Sequence, residues 1–188
     1  MICVVMMNYS CDKTMVTEPN NIELPRTYNF VNSDFTGSLQ CYNALGNQIN
    51  YISPLFIKYD FLFYDGGTYP YQSISIKNDS SVLFNYTLKE ITNSDNGMFS
   101  SHNDTLYFFY STKSSHNLLF NGVFNDQKLL IPAYGYKLEY VSAVKTGYTG
   151  TTGFGYPDIP SLLKKLKDGD YGRLYVQQFY LVYEKAPE

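Results

Sequence analysis

Tryptophan is absent from this chain, and histidine occurs only twice, at His102 and His116. The two histidines flank a strand expected over Thr105 to Ser111, which sets them roughly 20 Å apart at ~3.3 Å per residue. That is too far to share a metal ion, and no thiolate stands near either of them in sequence. Both read as surface polar residues. The three cysteines, Cys3, Cys11 and Cys41, form no CxxC pair, and they are expected as reduced thiols in a cytosolic setting. A GxSxG nucleophile elbow is missing, and so is a DxDxDG calcium loop, since Asp168-Gly169-Asp170 is too short a fragment to count. No apolar run approaches the ~20 residues that span a bilayer. The opening MICVVMM has no basic start, so it reads as a strand or arm rather than a signal peptide.

Charge is also scarce. Charged residues make up 16% of the chain, against about 25% in ordinary soluble domains. The net charge is -3, and the one basic cluster, Lys164, Lys165 and Lys167, stands beside Asp168 and Asp170 as a solvated helix face. Nucleic acid needs clustered Lys and Arg to displace counterions, so it is not an expected partner. Among the carboxylates, Asp65 and Asp170 adjoin turn glycines. Asp60 and Glu139 read as solvated strand positions, and with Asp65, Asp104 and Asp170 they are the dispersed acids from which the carboxylate pair of a glycoside-hydrolysing enzyme would have to form. The sequons at Asn8, Asn78, Asn85 and Asn103 are taken as accidents of an Asn-rich chain.

The stretch KTGYTGTTGFGYP, Lys145 to Pro157, carries glycines at 147, 150, 153 and 155. A phosphate-cradling loop needs Gly-Lys-Ser/Thr directly before a helix, and here the lysine precedes the glycines. The expectation is a long mobile loop that offers Tyr148, Phe154 and Tyr156 for contact.

What the chain has in quantity is period-two alternation and aromatic surface. In Pro54 to Asp65 one side carries Leu55, Ile57, Tyr59, Phe61 and Phe63. Similar runs mark strands at 26–32, 38–42, 73–77, 81–90, 105–111, 117–124, 128–131, 136–144 and 173–184. Turn signals stand between them: Asp65-Gly66-Gly67, Asn78-Asp79-Ser80, Asn96-Gly97, Asn121-Gly122 and Gly169-Asp170. One helix is expected over Asp158 to Lys167, with Pro160 in its first turn, a stripe of Leu162, Leu163 and Leu166, and Gly169 to end it. The fold class is therefore all-β: an antiparallel β-sandwich (jelly-roll-like) or barrel with one short helix near the C-terminus. Residues 1–25 are assigned to an N-terminal arm or edge strand, and 26–188 to a single β-sandwich domain.

Twenty Tyr and thirteen Phe exceed what one core of this size needs. Tyrosine joins a large rigid contact area to a hydroxyl, which suits interfaces and sugar-stacking platforms. Near the C-terminus Tyr175, Phe179 and Tyr183 share one face of a strand that is apolar on both sides, as befits a strand that is central or covered by a partner. With Tyr148, Phe154 and Tyr156 they are the candidate interaction residues; no catalytic, metal or cofactor site is assigned. In its β-rich, Asn- and Tyr-heavy, charge-poor character the chain resembles small virion structural proteins of phages or other large DNA viruses, such as auxiliary capsid, head-fibre or tail components. The resemblance is one of composition over the whole chain and transfers no individual residue. It implies a non-enzymatic assembly protein, made in the host cytoplasm and located in the virion, that packs against copies of itself or other structural subunits as an oligomer and has no membrane partner. The alternatives are a carbohydrate-binding or adhesive module, with a glycan as partner, and an enzyme using the dispersed carboxylates.

Overall fold

The computed structural model describes residues 23–35, 39–50, 71–88, 90–110, 118–125, 127–140 and 147–187. The expected arm up to residue 22, the strand expected at Pro54 to Asp65 and His116 lie outside the described residues. In chain order the elements are β1 (Arg26–Asp34), β2 (Leu39–Asn43), β3 (Gln48–Ile49), β4 (Ser73–Ile76), β5 (Ser81–Leu88), β6 (Ile91–His102), β7 (Thr105–Tyr110), β8 (Leu118–Phe124), β9 (Lys128–Tyr140), β10 (Tyr148–Phe154), α1 (Ile159–Asp168) and β11 (Tyr171–Lys185). All their pairings are antiparallel.

Eight of the strands close on themselves. The order β9-β8-β7-β6-β5-β4-β1-β11 is completed by pairing of β11 with β9, which runs from Lys128 opposite Glu184 to Tyr140 opposite Tyr171. Of the two architectures expected, the barrel is the one that forms; the described strands do not divide into the two facing sheets of a jelly-roll sandwich. Alternation explains why the ring fills itself. Ile74 and Ile76, Val82 and Phe84, Leu106 and Phe108, Leu129 and Ile131, and Phe179, Leu181 and Tyr183 all turn inward and are buried. Each such side chain contributes about 1.5–3 kcal/mol. The rings of Phe84, Phe108 and Phe120 meet at centroid distances of 4.8 to 5.8 Å.

Two turn signals prove to be positions within strands. Gly97 lies in β6, where a Cβ would stand 2.7 Å from the Phe109 carbonyl oxygen and 2.8 Å from the Phe84 ring. Gly122 lies in β8, where a Cβ would stand 2.7 Å from Leu129. These glycines let the barrel wall approach its own core. By contrast, Asn78-Asp79-Ser80 is a true hairpin turn: Ser80 has φ 64°, and the Asp79 carboxylate accepts from the Ser81 amide at 3.1 Å.

The strands expected at 128–131 and 136–144 belong to one strand as far as Tyr140, continuous through Pro132. Proline is tolerated there because its nitrogen faces the seam where β9 changes neighbours. On that edge β9 pairs with β8 through Leu129 and Leu130, and with β10 from Ala133 onward. β11 changes neighbours in the same way, from β1 at Tyr180 to Lys185 to β2 at Arg173 to Gln177. The two long strands thus leave the barrel together and continue as an extension, β10-β9-β11-β2-β3.

α1 covers one face of this extension. Leu162 and Leu166 of the helix pack with Leu138, Leu174, Val176 and Tyr42 in a second core separate from the barrel interior. The opposite face of the extension runs on from the barrel interior, because the odd-numbered residues of β9 and β11 keep their side through both regions.

Candidate functional site

Residues 148–154, expected as part of a mobile loop, form β10, paired residue for residue with β9 from Tyr148 opposite Glu139 to Phe154 opposite Ala133. The glycines answer to close packing. A Cβ on Gly150 would stand 2.0 Å from the Tyr136 carbonyl oxygen, and one on Gly153 would stand 3.0 Å from the Tyr134 hydroxyl oxygen. Gly147, with φ 118°, and Gly155, with φ 77°, serve instead the conformational role of turn glycines; Gly155 carries the chain from the inner face at Phe154 to the outer face at Tyr156.

On that outer face the strands assemble a tyrosine surface around α1. At the N-terminal end of the helix stand Tyr134, Tyr156 and Tyr180, and Tyr136 lies against Lys165 of its last turn. Tyr156 and Tyr180 are hydrogen-bonded to each other, and that bond, with partial burial, pushes the Tyr156 hydroxyl above the ordinary tyrosine range. Burial does the same for Tyr134, helped by the charge of Asp158. Lys165 donates to the Tyr136 hydroxyl at 3.1 Å, and its ammonium lies 5.5 Å from that ring's centroid. At the other end of the helix the rings of Tyr140 and Tyr171 stand 4.9 Å apart. A hydrogen bond to Tyr140 raises the Tyr171 hydroxyl. Gly169 is required there because a Cβ would meet the Tyr171 ring at 2.4 Å.

Asp158 fixes where the helix starts. Its carboxylate accepts from the Ser161 amide at 3.2 Å and from the Ser161 hydroxyl at 2.7 Å. Those two bonds hold its pKa below the usual carboxylate value. The ring of Tyr156, 65% exposed, therefore stands two residues from a fixed carboxylate.

The inner face of the extension carries a different set. Glu139, read from sequence as a solvated acid, accepts from the Tyr175 hydroxyl at 3.0 Å and from Arg173 at 3.3 Å, the latter an ion pair. Burial, foremost, and the neighbouring Glu139 push the Tyr175 hydroxyl far above its ordinary range. Lys137 is buried beside them, 5.7 Å from the Tyr148 ring centroid. Cys41, opposite Tyr175 in β2, has its thiol raised by burial. With Glu139 already held by a phenol and a guanidinium, the geometry is that of a satisfied polar brace between β9 and β11 rather than of an acid facing a substrate.

The six candidate interaction residues thus part company. Tyr175, Phe179 and Tyr183 do share one face, but it is the inner one; they are 1%, 3% and 0% exposed, covered by this chain itself, and are not presented to a partner. Phe154 is half-buried, its ring 4.3 Å from that of Phe120. Tyr148 and Tyr156 are exposed, on the inner and outer faces respectively. Tyr134, Tyr136 and Tyr180 are not among the residues expected from sequence to make contacts. For the first two the signal was the alternation Tyr134-Gly135-Tyr136-Lys137, legible only once the strand is carried through Pro132.

Among the described residues no group of three or more His, Cys, Asp or Glu is arranged to hold a metal ion, and no helix is long and apolar enough to cross a membrane. His102 is exposed at the β6–β7 turn. Comparison with protein-family models, with curated proteins and with solved structures returned no match.

Proposed function

We propose that this chain is a non-enzymatic assembly protein that packs against further copies of itself, or against other structural subunits, through the tyrosine surface around α1. The observation that carries the reading is the make-up of that surface. Tyr134, Tyr136, Tyr156 and Tyr180 gather on one face, the hydroxyls of Tyr156 and Tyr180 engaged by each other and that of Tyr136 by Lys165, with Tyr156 the most exposed ring among them. Rigid rings with hydroxyl handles supply contact area at low entropic cost, which is the composition that interface centres favour. The charge-poor composition fits the same reading, since a surface that neighbours cover has less need of charge to stay dispersed. The compositional resemblance to small virion structural proteins is the ground for taking the assembly to be a virion.

A second reading, a carbohydrate-binding module, is favoured by one feature: the Tyr156 ring is 65% exposed, a stacking surface of the kind glycans use. Light scattering of the purified chain over a wide concentration range separates the two. Assembly predicts a mass above the 21.6 kDa of one chain that falls in Tyr156→Ala. A monomer at every concentration that binds glycans through Tyr156 supports the second reading instead.

A further inference from the structure

Closing a barrel removes strand edges, and the extension reintroduces them. Its two outermost strands differ sharply. β3 is two residues long, the kind of short edge that resists pairing with another chain. β10 is seven residues long, YTGTTGF, with neither a charged residue nor a proline in it, and among the described residues its neighbour in the sheet is β9 alone. Among the described residues none of the usual guards against edge pairing is present along it.

The ladder fixes which backbone groups face outward. The Tyr140 amide donates to the Gly147 carbonyl at 3.0 Å, and the Gly155 amide donates to the Pro132 carbonyl at 2.7 Å. Hydrogen-bonded and non-hydrogen-bonded pairs alternate along an antiparallel ladder. The N–H and C=O groups of Thr149, Thr151 and Gly153 therefore point to β9, and those of Gly150 and Thr152 point away from it.

We propose that β10 pairs antiparallel with β10 of a second copy about a twofold axis beside Thr151, joining two extensions into one continuous sheet. The inference rests on the assembly reading above and names one of its contacts. The strand is self-complementary in this register. Gly150 meets Thr152 of the second copy and Thr152 meets its Gly150, so every outward group at the centre faces an outward group. A shift of one residue sets outward groups against groups already bonded to β9. The same register puts Thr151 directly opposite Thr151, a favourable cross-strand pair, and Tyr148 opposite Phe154. Because the axis is perpendicular to the sheet, the two tyrosine surfaces lie on one side of the joined sheet and form a single larger surface.

Thr151 is exposed and its side chain lies at the axis, so the test is a charge swap. Light scattering is run on full-length wild type, Thr151→Lys, Thr151→Glu and an equal mixture of the two variants. Like charges directly opposed destabilise a cross-strand pair. Each variant alone is expected to lose at least half of the wild-type mass, and the mixture is expected to regain it, a rescue that misfolded variants cannot give. A wild-type oligomer whose mass neither substitution changes overturns the β10 contact and leaves the assembly reading standing. Variants that dissociate without rescue on mixing also overturn it. A wild type that is monomeric at every concentration overturns self-pairing, with the tyrosine surface then judged by its own substitution.

Discussion

Replacing Gly150 with alanine distinguishes a packed strand from a mobile loop by the sign of its effect. In the strand, the new methyl would stand 2.0 Å from the Tyr136 carbonyl oxygen and 3.0 Å from the Lys137 Cα. Both are backbone atoms of the central strand β9, which cannot move aside as the tip of a side chain can. Restoring an ordinary contact of roughly 3.4 Å means displacing β10 by more than an ångström, and overpacking of this kind costs about 1–3 kcal/mol. In a mobile loop, the same change would restrict the unfolded chain and stabilise the protein by about 0.4–1 kcal/mol. Equilibrium urea unfolding of Gly150→Ala beside wild type reads the difference. The expected result is a lowered midpoint in Gly150→Ala, with a Tm drop of about 2–4 °C per kcal/mol lost. An unchanged or raised midpoint in Gly150→Ala would refute the packing argument for the glycines of β10.

Two further substitutions probe the elements beside it. Tyr175→Phe removes the hydroxyl that donates to Glu139 at 3.0 Å and is expected to cost about 1.5–3 kcal/mol, the range for hydrogen bonds to charged groups. A urea midpoint equal to wild type would show that the brace between β9 and β11 contributes nothing. Asp158→Ala removes the cap of α1 and is expected to lower Tm at neutral pH. Because the folded pKa of Asp158 is depressed, its contribution is complete above the unfolded value and is lost as pH falls through the lower folded one. The Tm gap between variant and wild type should therefore hold from pH 7 to pH 5 and narrow below about pH 4. A gap that widens on acidification would contradict that sign.

The barrel was largely legible because alternation survives in its strands. Ile74 and Ile76, Val82 and Phe84, or Leu106 and Phe108 each name the buried face without help. β6 was not legible, since ITNSDNGMFSSH has turn chemistry and only Gly97 is buried; tertiary pairing on both edges overrides its propensity. β10 failed for a similar reason: its glycines look like flexibility until β9 is seen to lie against them. The tyrosine surface was half legible. Tyr156 was named, but its companions Tyr134, Tyr136 and Tyr180 come from two other strands, and which strands are neighbours is not written in any one of them. The pairing of β9 with β11, the longest in the structure, joins residues too far apart in sequence for local pattern to reveal.

Oxidative footprinting read by mass spectrometry tests directly whether the tyrosine surface around α1 is a contact surface. Tyr156 is 65% exposed and Tyr110, on the barrel wall, is 42% exposed, so both should label readily in dilute protein. As concentration rises, Tyr156 is expected to become protected while Tyr110 does not. Labelling of Tyr156 that stays as strong as that of Tyr110 at every concentration would contradict it.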